Sequence, residues 1–321
     1  MRLIATFAAI LAAAGMAAAQ DVPPPPPPIH PPGQIGAPAG TGAWPAIAEA
    51  RRDSSGYTIY RPNVLPREAL PLVLWGNGAC SDNGLSASHF LREVASHGYI
   101  VIANGNPRRE YAADQSANAA PPAVMPAAAP PPPPTHDETS VAQLLGAIAW
   151  AQRANARPGD PLHGRIDLRR IAVMGHSCGG LQALAAAADP RVSTVMAFDS
   201  GVYVRAGSGR SGVAITKEDL LRLHTPVAYI LGGPGDIAYP NGMDDFARIE
   251  HVPVFVGNLP VGHGGTFRVP NGGDWARVAV AWLDWQLKHS PAGRAWFDGA
   301  DCRLCTTYGW TVQRKRLSQV P

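Results

Sequence analysis

Charge is sparse in this chain: only 16% of its 321 residues are Asp, Glu, Lys or Arg, and the formal net charge is +3. So small an excess excludes a nucleic-acid binder that works by electrostatics, because such proteins carry dense basic surfaces. Basic residues are scattered except for Arg314-Lys315-Arg316, which reads as a solvated tail. Long apolar runs are missing too. Leu3 to Met16 falls short of the width of a bilayer, and no later stretch is long enough to span one. Cysteine is limited to four residues, and none precedes Cys80, so no cysteine stands near the N-terminus to carry a lipid anchor.

The chain is nevertheless 46% hydrophobic, enough for one large core. Arg2, the apolar stretch after it and Ala17-Ala18-Ala19 form the pattern of a secretory signal over residues 1–19. Cleavage is expected near Ala19, with export to the periplasm or the medium. Export makes an even number of cysteines candidates for disulfides. Cys302 and Cys305 are close neighbours and the favoured local pair. The competing reading of Cys302-x-x-Cys305 as a zinc site lacks a second ligand pair nearby, so no metal is expected.

Two proline tracts, Pro23 to Pro32 and Pro121 to Pro134, divide the sequence. Proline lacks the amide donor, and such tracts read as extended, solvated spacers. The expected layout is a flexible proline-rich segment at 20–44 and a folded domain at 45–289 carrying a proline-rich insertion at 116–135. A C-terminal extension at 290–321 would follow.

Within the domain, short continuous apolar runs alternate with amphipathic ones. Gly56 to Tyr60, Leu70 to Trp75, Tyr99 to Ala103, Arg170 to Met174, Val192 to Phe198, Pro226 to Leu231 and Pro253 to Val256 read as strands. Pro71 argues that its strand begins after it. Ala87, Phe90, Leu91 and Val94 form one helical face, closed by Gly98. Val141, Leu144, Leu145 and Ile148 form another, with Thr135-x-x-Glu138 as a capping box. Trp275, Val278, Trp282 and Trp285 line a last helix as core residues. This alternation predicts an α/β fold: a mostly parallel central sheet with helices on both faces.

The most informative motif is Gly175-His176-Ser177-Cys178-Gly179-Gly180, between the apolar Ile171-Ala172-Val173-Met174 and the helix-forming Leu181-Gln182-Ala183-Leu184-Ala185. Strand, sharp turn and helix with a serine at the apex is a nucleophile elbow. Glycines two before and two after Ser177 remove side chains that would collide across so tight a turn. A serine hydroxyl needs a histidine to take its proton, and that histidine needs a carboxylate to fix its tautomer. Behind this elbow the partners follow in the order acid, then histidine, on loops at the C-terminal ends of later strands.

Of the ten histidines, six precede or adjoin the serine on its N-terminal side; His224 and His251 lie before their strands and His289 ends a helix. His263, in Val261-Gly262-His263-Gly264-Gly265-Thr266-Phe267, is the expected base. Asp236 is the carboxylate on the loop Gly232 to Pro240 and the expected acid; Asp199, at the end of the preceding strand, is the alternative. Asp244 and Asp245 read as a helix start. The oxyanion of acyl transfer needs preorganised amides. One is expected at Cys178, the other on Gly76-Asn77-Gly78-Ala79-Cys80, at Ala79 or Gly78.

On these residues the chain resembles the α/β-hydrolase superfamily, and within it secreted serine esterases of the cutinase-like and dienelactone-hydrolase-like polyester hydrolase group. The resemblance runs from about Ser55 to His289 and rests on Trp75-Gly76-Asn77-Gly78, the elbow, Gly235-Asp236-Ile237-Ala238 and Gly262-His263-Gly264-Gly265. It implies a sheet of about eight strands with the site at its C-terminal edge and no metal or organic cofactor; no large insertion follows Phe198, so no large lid domain is expected. It also sets the strand ending near Cys80 beside the one ending near Cys178, implying a Cys80–Cys178 disulfide that braces the oxyanion site. The chain departs from the pattern in having Asn77-Gly78 where His-Gly is usual. It also has serine where true dienelactone hydrolases have cysteine.

The implied activity is hydrolysis of small-molecule or polymeric carboxylic esters through an acyl-serine. Trp75, Tyr239 and Phe267 are candidate walls of an apolar pocket. An exported serine peptidase or amidase, an acetyl or feruloyl esterase, and a non-catalytic envelope-binding protein of the same fold are the alternatives.

Overall fold

Strands buried on both faces set the centre of the molecule. The computed structural model describes residues 26–114, 138–204 and 211–320. The expected signal, the second proline tract and Thr135 lie outside the described residues.

Ten strands form one mixed sheet: β1 (Gly33–Ala39), β2 (Ala46–Ala50), β3 (Tyr57–Pro62), β4 (Leu70–Gly76), β5 (Ile100–Asn104), β6 (Ile166–His176), β7 (Val192–Phe198), β8 (Val227–Leu231), β9 (Val254–Asn258) and β10 (Thr311–Lys315). Their order is β1-β2-β3-β5-β4-β6-β7-β8-β9-β10. The six strands from β5 to β9 in this order run parallel. β1, β2 and β3 at one side and β10 at the other pair antiparallel.

The sheet therefore has ten strands where about eight were expected. Beyond the seven runs read as strands, the additions are β1, β2 and β10: β2 is a short, alanine-rich strand, and β1 and β10 are edge strands that carry no apolar run. Ile35 is the only buried residue of β1, and β10, with the sequence Thr-Val-Gln-Arg-Lys, has none. Backbone pairing rather than side-chain burial holds them. Residues 33–39, expected within a flexible proline-rich segment, are thus part of the sheet. Arg314-Lys315-Arg316 is not a solvated tail: Lys315 donates to the Phe246 and Ala247 carbonyls and to Glu250, and Arg314 to the Phe297 carbonyl.

Alternation along each strand divides the core. Val73 and Trp75 pack on one face with α1 (Ser88–Ser96) and α5 (Gly273–Lys288). Leu72 and Leu74 pack on the other with α2 (Val141–Ala156), α3 (Cys178–Ala186) and α4 (Tyr239–Arg248). Each such fully buried side chain contributes about 1.5–3 kcal/mol. Trp275, Trp282 and Trp285 are buried in the first core, as their helical spacing implied.

Three local expectations change. Pro71 lies inside β4, opposite Asp167 of β6, and a register shift directly after it absorbs its missing donor. Ser140, not Thr135, caps α2 by accepting from the Gln143 amide. Asp244 and Asp245 fall inside α4, where Lys217 pairs with both and Asp245 is fully buried. The short helices α6 (Pro291–Arg294) and α7 (Arg303–Thr306) lead the C-terminal segment back to β10.

Cys80–Cys178 and Cys302–Cys305 are both at disulfide distance, with Cα atoms 5.2 and 5.0 Å apart, which fits an extracellular or periplasmic protein. Among the described residues, no helix is long and apolar enough to cross a membrane.

Candidate active site

β6 ends at His176 and α3 begins at Cys178, so Ser177 takes the whole reversal itself, at φ 53° and ψ −119°. That conformation costs a non-glycine residue about 1–3 kcal/mol and persists only where its surroundings enforce it. The enforcement is visible. A Cβ on Gly179 would lie 2.1 Å from the carbonyl carbon and oxygen of Gly76, and one on Gly175 2.1 Å from the Gly179 oxygen. Side chains at either place would push α3 off the ends of β4 and β6. The Ser177 amide donates to the Phe198 carbonyl at 3.0 Å. The Ser177 carbonyl accepts from Ser200 Oγ at 2.7 Å.

Because β6, β8 and β9 are parallel, the segments that follow them emerge at one edge of the sheet. Asp236 stands on the loop after β8 and His263 on the loop after β9. His263 Nδ1 lies 2.6 Å from Asp236 Oδ1, and His263 Nε2 lies 2.9 Å from Ser177 Oγ. Asp236 is 2% exposed, and the Ala238 amide donates to its Oδ1 at 2.9 Å. Burial pushes the Asp236 carboxyl up, but the hydrogen bonds from His263 and Ala238 outweigh it and leave it below the usual carboxylate range. An ionised Asp236 fixes the proton of His263 on Nδ1 and leaves Nε2 bare toward the serine. The structure brings together the three residues expected from chain order, and the partner of His263 is Asp236 rather than Asp199.

The loop after β4 closes the other side of Ser177. Gly78–Cys80 form a single tight turn in which Ala79 and Cys80 are left-handed, at φ 55° and 47°. Asn77, which stands where the resembled family has histidine, is fully buried. Its side chain accepts from the Trp75 indole at 3.0 Å and from Ser86 Oγ at 3.2 Å, and donates to the Ser81 and Asn104 carbonyls. The Cys80–Cys178 disulfide then ties this turn to the first residue of α3. Ala79, Gly78 and Cys178, the expected oxyanion residues, are thus neighbours.

Two depressions lie at the site, one lined by Ser177 itself and one by its neighbours His176 and Ala79. The smaller, about 70 Å³, is lined by Ser177, Leu181, Tyr203, Ile237, Asn241 and His263 among others. The larger, about 600 Å³, includes Ala79, Ser86, Tyr111, His176, Gly264 and Arg268, and the Arg268 guanidinium stacks on Tyr111 at 4.1 Å. Trp75 and Phe267 also line it, as buried members of an aromatic cluster with Phe90 and Phe198. Tyr239 departs from expectation: it opens α4 and packs against the second core. Ile237, 78% exposed beside the acid, occupies the rim instead.

Sequence reasoning missed His176. It precedes Ser177 and so falls outside the chain order expected of the base. Its Nε2–H donates to the His263 carbonyl at 2.8 Å and anchors the loop that carries His263. Burial and the neighbouring His263 push its pKa down to about 4, so the ring is neutral near pH 7. Adjacency to the nucleophile was the one signal available. Ser200 was missed for lack of any motif. No protein-family model matches the chain and no curated protein is significantly similar to it.

Proposed function

We propose that this protein is an exported serine hydrolase of α/β-hydrolase architecture that cleaves carboxylic esters. The observation that carries the reading is the unbroken relay from Asp236 through His263 to a Ser177 held in a strained turn, with spacings of 2.6 and 2.9 Å. Ser177 Oγ attacks the ester carbonyl carbon while its proton passes to His263 Nε2. The oxygen that becomes negative is held by backbone amides at Cys178 and at Ala79 or Gly78. Collapse breaks the carbon–oxygen bond, and His263 returns the proton to the departing alcohol. Water, deprotonated in turn by His263, releases the acid and restores Ser177. Asp236 stays ionised throughout and stabilises the imidazolium. The larger cleft and the small depression by Ile237 offer one side to the acyl group and the other to the alcohol.

Labelling with a fluorophosphonate tests the reading: wild type reacts and Ser177→Ala does not. A series of p-nitrophenyl esters from acetate to palmitate, beside a peptide anilide, then separates ester from amide cleavage. Wild type left unlabelled, or labelled elsewhere than Ser177, overturns the proposal.

A further inference from the structure

We propose that Asp199 is a positioning residue of this site, a buried carboxylic acid that donates a hydrogen bond to the Asp236 carboxylate and holds it toward His263. The inference rests on the serine-hydrolase reading given above. Asp199 follows β7 directly, with a left-handed backbone at φ 44° and its amide bonded to the Ile230 carbonyl at 2.8 Å. Its side chain is inaccessible to solvent. Oδ2 accepts from the Trp275 indole at 3.2 Å, but Oδ1 has no donor at all among the described residues. A buried, ionised oxygen without a donor is costly.

Asp236 is the acid whose charge acts on Asp199, and a proton on the unpartnered Oδ1 joins the two carboxyls in the proposed pair. Two carboxylates in one dry site cannot both ionise, so the pair shares one proton. Donor count decides where the charge sits. Asp236 accepts from His263 Nδ1 at 2.6 Å and from the Ala238 amide at 2.9 Å, whereas the Gly232 amide serves both acids and Asp199 has beside it only the Trp275 indole. Asp199 is therefore the acid and Asp236 the base of the pair. Burial, followed by the charge of Asp236, raises the Asp199 carboxyl well above the usual range. The other groups facing it are His176 Nε2 from the end of β6, 3.8 Å away and neutral, and the uncharged Trp275 of α5. No cation among these neighbours favours its ionisation.

Asp199→Asn tests this, because its amide still donates to Asp236 but cannot lose the proton. Near pH 7 its kcat/KM should stay within about threefold of wild type, while the alkaline decline caused by Asp199 ionisation disappears. Asp199→Ala should lower kcat by about 10- to 100-fold with KM little changed. Isotope-edited infrared spectra should show a protonated aspartic carboxyl at neutral pH in wild type that Asp199→Asn lacks. Absence of that band overturns the proposal. So does an Asp199→Asn defect as deep as that of Asp236→Asn, which would make Asp199 the triad acid. The infrared band is independent of turnover, and fluorophosphonate labelling of Ser177 reports on the hydrolase reading, so the two failures are distinguishable.

Discussion

The Ser177 half of the candidate site and the His263 half are built by different means. Ser177 and the Gly78–Cys80 turn are fixed by covalent and backbone contacts: the Cys80–Cys178 disulfide, the abutting backbones of Gly76 and Gly179, and an Asn77 whose side chain is fully bonded. His263 sits among Gly262, Gly264 and Gly265 with its side chain 30% exposed, held by hydrogen bonds to Asp236 and Ser177 and, through its carbonyl, from His176. Strain at Ser177 survives only where the surroundings over-determine it. In the proposed reaction His263 accepts and returns a proton in each half-reaction, which needs orientation, not immobility.

The sharpest way to break this contrast is to damage each half with one atom group. Gly179→Ala drives a Cβ into the Gly76 backbone, which cannot swing aside as a side chain would. Folding and activity should both be lost, seen as insoluble protein or a melting temperature lowered by about 10 °C or more. His263→Ala should instead lower kcat/KM about 10⁴-fold and leave the melting temperature within about 2 °C. Comparable unfolding by both variants would show that the halves do not differ.

The two disulfides sharpen the same comparison at smaller scale. Cys80 and Cys178 are 98 residues apart in sequence, Cys302 and Cys305 only 3. Loop-closure entropy assigns about 4.7 kcal/mol to the first and about 2 kcal/mol to the second. The Cys80→Ser/Cys178→Ser protein should also lose activity, about tenfold or more in kcat, because the disulfide couples the two segments that would hold the oxyanion. Cys302→Ser/Cys305→Ser should unfold at lower denaturant but turn over at the wild-type rate.

The Ser177 half was largely legible in the sequence and the His263 half only in outline, for a physical reason. Gly175-x-Ser177-x-Gly179 is a steric requirement written in consecutive residues, and the parallel strands are continuous apolar runs. His263 and Asp236 could be placed by chain order because each follows a strand. The supporting groups leave no such trace. Asp199, Ser200 and His176 act through contacts between β6, β7 and the loops after β8 and β9, which no local pattern encodes. β1 and β10 escaped for the same reason, since an edge strand is defined by its neighbour's backbone. Tyr239 differs because aromaticity next to Asp236 suggests a pocket wall, whereas at the start of α4 that side chain is half-buried and packs against the core.

The finest test lies between the two acids, whose linkage to folding has opposite signs. Asp236 is held below the usual range in the folded protein, so the stability it contributes is present above the unfolded value of about 3.9 and lost as pH falls through its lower folded value. Asp199 is raised, so its contribution is complete below about pH 3.9 and lost as pH rises through its folded value. Urea unfolding from about pH 3 to pH 9 separates them. Wild type should outlast Asp236→Asn at neutral pH, with the gap closing toward the acid end. Asp199→Asn should gain on wild type steadily toward the alkaline end. Parallel curves for the two variants would mean that neither carboxyl titrates with folding in the way their burial and donors dictate. The contrast between a charged acid and a neutral one would then have no thermodynamic basis.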